Sequence, residues 1–229
     1  MSVPRTRRQA TAALRATGPG RLALDARRRY ATRPAAQDRA RAKARAEWIE
    51  RGRPLPAPSP VKVDELLLVL DRVGPRVFIE TGTFHGDTLR VLKEHVDAAW
   101  SIELSPELAA RNRVSFARDP HVQIVEGDSG ACLPRILDEV REPVLFWLDG
   151  HWSMGETARG TSDTPIRAEL EAILTHNVDR HAVLIDDARL FGTGDYPSIA
   201  DIEAQVRRHR PTWTVTVDID IIRALPPTT

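Results

Sequence analysis

Arg76-Val77-Phe78-Ile79-Glu80-Thr81-Gly82-Thr83-Phe84-His85-Gly86-Asp87-Thr88 runs an apolar strand into a carboxylate and then straight into a turn punctuated by two glycines. Glycine lets the backbone pass close to a ligand and adopt dihedrals that a Cβ would forbid. Gly82 and Gly86, with Thr83 and Phe84 between them, therefore read as a ligand-cradling turn, and Thr88 is placed to help organise the helix that follows. Glu80 discriminates among ligands. A G-x-G-x-x-G turn aims a helix N-terminus at a pyrophosphate, and a carboxylate at the strand end would repel that anion. The acid suits a cation instead, such as S-adenosylmethionine, which carries an ammonium and a sulfonium and no phosphate. A tight strand-to-helix turn without a ligand is the plainer reading of the same residues.

The next elements extend the pattern. Ala98-Ala99-Trp100-Ser101-Ile102-Glu103 reads as a second strand ending in an acid, followed by Ser105-Pro106-Glu107, a good helix start. Glu103 lies 23 positions after Glu80, near the ~20-residue offset at which an acid meets ribose hydroxyls in nucleotide-binding α/β units. A third strand, His121-Val122-Gln123-Ile124-Val125-Glu126, leads into Gly127-Asp128-Ser129. Asp128 and Ser129 suit an adenine edge, a helix cap, or both.

Two further strand ends carry acids, Phe146-Trp147-Leu148-Asp149-Gly150-His151-Trp152 and Val183-Leu184-Ile185-Asp186-Asp187-Ala188-Arg189. Ligands of open α/β sheets bind beyond the carboxyl ends of the strands, so Asp149, Asp186 and Asp187 are expected to converge there. Close carboxylates repel, and Mg2+ with oxygen ligands is the natural neutraliser; the alternative is that these acids cap turns and helix starts without a metal. An unperturbed imidazole titrates near neutral pH, so His151 is the candidate base, alongside its alternative as a structural strand-end histidine.

In these motifs the chain resembles the class I S-adenosylmethionine-dependent methyltransferases. E-T-G-T-F-H-G-D-T looks like the E-x-G-x-x-x-G-x-S/T turn of catechol-type and macrocin-type O-methyltransferases, with Phe84 in place of the middle glycine, and the similarity is closest to a bacterial group of unassigned substrate. The resemblance covers about residues 61 to 229. It implies S-adenosylmethionine binding by Glu80, Gly82, Thr83, Phe84, Gly86, Thr88, Glu103, Asp128, Ser129 and Asp149, with Trp152 packing on adenine or covering the core. It implies Mg2+ held by Asp149, Asp186 and Asp187, with His151 and Asp149 in the chemistry. The spacing of His151 from Asp149 departs from that of the similar sugar O-methyltransferases.

Periodicity alternates strand and helix from residue 61 onward, predicting an α/β, Rossmann-like, doubly wound seven-stranded sheet whose last strand is antiparallel. Before it, residues 1 to 60 hold 15 of the 33 Lys and Arg residues and 4 of the 32 acids, and end in a Pro-rich stretch. They read as a basic, flexible arm and linker, with a helix near 38 to 50, and the methyltransferase-like domain is expected over 61 to 229. The arm is either a solvated tail or an attachment to nucleic acid or an anionic surface. No apolar run approaches the ~18 residues needed to span a bilayer, and no secretion signal is evident, so a cytoplasmic enzyme is expected. The single cysteine, Cys132, excludes an internal disulfide and reads as structural. Residues 153 to 164 are polar and read as a lid, which suits a sugar-like or otherwise polar small-molecule acceptor. The expected activity is O-methylation of such a hydroxyl. The alternatives are an RNA methyltransferase using the basic arm and a non-catalytic binding protein with the same fold.

Overall fold

The computed structural model of the protein describes residues 35–149 and 165–227. Helix α1 (Ala35–Glu50) opens them. Helix α2 (Ser59–Val73) follows, with proline in its first turn, where the missing N–H is an orphan anyway. It stops at Gly74, whose left-handed backbone returns its N–H to the carbonyl of Leu70. Its buried Val61, Val63, Leu66, Val69 and Leu70 recur at spacings that line one side of a helix.

Strands and helices then alternate: β1 (Val77–Thr81), α3 (Asp87–Leu92), β2 (Ala98–Glu103), α4 (Pro106–Ser115), β3 (Val122–Glu126), α5 (Ser129–Leu137), β4 (Val144–Leu148), α6 (Ile166–Thr175), β5 (Ala182–Ile185), a 3-10 turn (Ala188–Leu190), α7 (Ile199–His209), β6 (Thr214–Asp218) and β7 (Ile221–Leu225). The seven strands form one sheet in the order β3-β2-β1-β4-β5-β7-β6. The first five are parallel, and β7 runs antiparallel between β5 and β6. The seven-stranded sheet with an antiparallel last strand is as expected.

Because side chains alternate across a strand, each strand feeds two cores. Phe78, Ala99, Leu145, Trp147 and Leu184 pack with residues of α2 and α3 and with Phe116 on one face. Val77, Ile79, Trp100, Ile102, Phe146 and Val183 pack with α5, α6 and α7 on the other. Strands covered on both sides must be apolar throughout, which is why β1, β4 and β5 are buried along their whole length.

The expected boundary at residue 60 needs correction. Trp48 is 1% exposed and shares a small core with Ala57, Val61 and Ile219. Its indole N–H donates to the Pro54 carbonyl at 2.8 Å. Arg41 bonds Asp64 at 3.1 Å, Arg45 bonds Glu65 at 3.0 Å, and Arg53 bonds Asp218 at 2.8 Å. From Ala35 on, the segment expected as a flexible arm is packed on the sheet domain, and part of its positive charge is used inside the molecule. One tryptophan and a few ion pairs anchor it, so its low apolar content gave the opposite impression. Residues 1 to 34 and the expected lid at 153 to 164 lie outside the described residues, as do His151 and Trp152. Among the described residues no helix is long and apolar enough to cross a membrane.

Candidate functional site

The sheet ladder runs one residue past several strands, and this aligns their ends. The N–H of Gly82 donates to Ile102 at 2.8 Å, that of Gly127 to Glu103 at 2.9 Å, that of Asp149 to Thr81 at 3.1 Å, and that of Asp186 to Leu148 at 3.0 Å. Glu80, Glu103, Asp149 and Asp186 thus stand along one edge of the sheet, above β1, β2, β4 and β5.

The glycine turn after β1 is wound through left-handed backbone at Gly82, Phe84 and Gly86, with φ of 84°, 47° and 73°. It closes through a 2.7 Å bond from the Gly86 N–H to the Thr83 carbonyl. Gly86 is required for space as well as for dihedral: a Cβ there would lie 2.8 Å from Asn112 Oδ1 and 2.8 Å from the Phe116 ring. Asn112 clamps the turn to α4 by donating to the Phe84 carbonyl at 2.6 Å and the Leu108 carbonyl at 3.0 Å. Phe84 holds a conformation that glycine adopts without strain, and its ring is 42% exposed. Thr88 does not organise the helix start as expected. Helix α3 begins at Asp87 behind Gly86, and no side chain caps it; with glycine at the cap position there is no oxygen to do so.

Glu80 is 1% exposed, and its carboxyl accepts a 2.6 Å bond from the Ser101 hydroxyl, which itself lies 2.5 Å from the Thr83 hydroxyl. Burial pushes the Glu80 carboxyl up to about 8, with the Asp149 and Glu103 charges adding to the rise against the Ser101 bond. Glu103 accepts the N–H of Phe84 at 2.8 Å on one oxygen and that of Ser105 at 2.9 Å on the other. A carboxylate has about four acceptor positions, so these bonds leave capacity for hydroxyl donors.

At the end of β3, Asp128 caps α5 by accepting the Ala131 N–H at 3.1 Å, and Ser129 is buried in the first turn. The capping alternative read from the sequence is therefore realised. Cys132 is buried, and its sulfur would sit 2.8 Å from a Cβ at Gly127, consistent with a packing role.

Asp186 and Asp187 follow β5, but a cation the sequence reading did not single out stands between them. Lys62, from the first turn of α2, donates to Asp186 Oδ2 at 2.6 Å and Asp187 Oδ1 at 3.3 Å. Burial works against its ammonium, yet Asp186, Asp187 and Asp149 outweigh it and hold Lys62 above the ordinary lysine range. Arg189 adds a second cation, 2.6 Å from Asp187 and bonded also to Asp220. The expected Mg2+ does not fit this arrangement. Among the described residues no three His, Cys, Asp or Glu side chains are gathered as a metal requires, and the aspartate pair already holds an ammonium. Lys62 escaped the sequence reading because nothing local marks it; it lies 124 positions from Asp186.

No family model and no curated protein matches the chain. Solved structures do. An O-methyltransferase from Bacillus cereus in complex with SAH matches with a TM-score of 0.55 over 81% of this chain and 90% of that one, at 18% identity. The SAH-bound methyltransferase PaMTH1 from Podospora anserina matches with a TM-score of 0.53 over 99% of each chain, at 13% identity. At such identity the likeness is one of fold, and it agrees with the strand order and the antiparallel β7. The chain has the Rossmann-like fold of the S-adenosylmethionine-dependent methyltransferases.

Proposed function

We propose that the protein is an S-adenosylmethionine-dependent methyltransferase that methylates a hydroxyl of a polar, sugar-like small molecule. The observation that carries this reading is the pairing of two acids, Glu80 and Glu103, at neighbouring strand ends around the glycine turn. Glu80 faces the cofactor's ammonium and Glu103 its ribose hydroxyls. Thr83, Phe84 and Gly86 line the approach, and Asp128 and Ser129 lie toward the adenine.

When bound, S-adenosylmethionine would supply a methyl group on a sulfonium, passed in line to the acceptor oxygen with a neutral thioether as the leaving group. His151, two positions after Asp149, would take the hydroxyl proton. No covalent enzyme intermediate is needed, so alignment, worth up to ~7 to 11 kcal/mol, is the main contribution of the site. Proton removal adds about 10²- to 10⁴-fold. No step is assigned to magnesium, because Lys62 stands where the ion was expected. The test is to incubate the protein with methyl-labelled S-adenosylmethionine and pooled polar metabolites. Label in a hydroxyl-derived ether, lost in His151→Ala, supports the reading. Label found instead only in a parallel reaction with total RNA would point to a nucleic-acid acceptor.

A further inference from the structure

We propose that Lys62 is the built-in cation of this site, taking the place that a divalent metal would otherwise hold between Asp186 and Asp187. Lysine in the first turn of a helix is disfavoured by the positive end of the helix dipole, and its burial adds a desolvation cost. The side chain is nevertheless 15% exposed and directed onto two aspartates that are themselves 4% and 10% exposed. The two carboxylates are what offset both penalties. With Arg189 also on Asp187 and shared with Asp220, these carboxylates already have two cations of the chain itself as partners. A divalent ion entering between them would have to displace the ammonium and sit close to the guanidinium.

An ammonium has three N–H donors, and the aspartates take two of them. On the reading of the preceding section, the third donor is offered to the acceptor oxygen, so Lys62 positions the hydroxyl and stabilises the negative charge that develops on it. A lysine does this with a single charge and a directed hydrogen bond, whereas a metal would demand several oxygen ligands. The site then favours acceptors with one reacting hydroxyl over those that chelate through two.

The direct test follows Mn2+ by electron paramagnetic resonance in titrations of the full chain, in wild type and in Lys62→Met, Lys62→Gln and Lys62→Arg. The wild type and Lys62→Arg should leave Mn2+ in its free hydrated form. Removing the ammonium in Lys62→Met or Lys62→Gln should free the two carboxylates for an Mn2+ ion whose shell is otherwise completed by water, at least about tenfold tighter than in wild type and abolished by a second change, Asp187→Asn. Mn2+ bound by the wild type and lost in Asp187→Asn would overturn the proposal. So would a folded Lys62→Met or Lys62→Gln that binds Mn2+ no better than wild type. Cofactor binding, titrated in parallel, reports separately on the methyltransferase reading: its failure would leave the Mn2+ result standing.

Discussion

Glu103 accepts the backbone N–H of Phe84 at 2.8 Å, so the end of β2 braces the left-handed residue of the turn that follows β1. One carboxylate therefore serves the scaffold and, in the proposed function, the ribose. Glu103→Ala should lower both stability and cofactor affinity, each by about 1.5 to 3 kcal/mol, the scale of hydrogen bonds to a charged group. Urea denaturation and calorimetry on the same preparation check this. A loss of affinity with unchanged stability would mean that the bonds to Phe84 and Ser105 contribute nothing to folding.

Gly86 and Gly74 make a matched pair. Both have positive φ, but a Cβ at Gly86 would strike Asn112 and Phe116, whereas one at Gly74 meets nothing within 4 Å. Gly86→Ala should destabilise by about 2 to 4 kcal/mol and Gly74→Ala by roughly 1 kcal/mol. Denaturant midpoints of the two variants give the comparison, and equal losses would show that the clash is relieved without cost.

Trp48 is fully enclosed, and Trp48→Ala should cost about 3 to 5 kcal/mol. Deleting residues 1 to 60 removes the same contacts along with the ion pairs to Asp64 and Glu65, and should lower the melting temperature by a similar or larger margin. A truncated protein that melts like the full chain would show that α1 rests on the domain without stabilising it.

Glu80 links binding to pH. Its carboxyl is pushed up from 4.5 to about 8, chiefly by burial. Its proton is thus held more tightly in the folded state than in the unfolded chain, and this contribution to stability is lost as pH rises through that interval. A cationic cofactor needs the ionised form, so affinity should strengthen by up to about tenfold per pH unit below 8 and level off above it. Calorimetry in buffers of different ionisation enthalpy should find close to one proton released at neutral pH. Glu80→Gln should release none and show a flat profile.

The sheet was legible because each parallel strand is an apolar run ended by an acid or a turn, as in β1, β2, β4 and β5. Local chemistry also located Glu80, Glu103 and the aspartates on one edge. What was not legible depends on distant pairings. Lys62 acquires its meaning only from Asp186, far along the chain, and Trp48 only from Ile219 at the β6–β7 turn. A basic, alanine-rich helix such as α1 gives no apolar stripe to announce that it docks. Asp128 had two compatible readings in sequence, and the backbone realises the cap.

The central claim, that the two acids and the glycine turn hold S-adenosylmethionine, is tested most directly by titrating the cofactor into wild type and Glu80→Gln in a calorimeter. The prediction is a one-to-one isotherm for the wild type and a loss of about 1.5 to 3 kcal/mol, roughly ten- to a hundredfold, for the variant. No binding by the folded wild type, or an affinity unchanged in Glu80→Gln, would contradict the account.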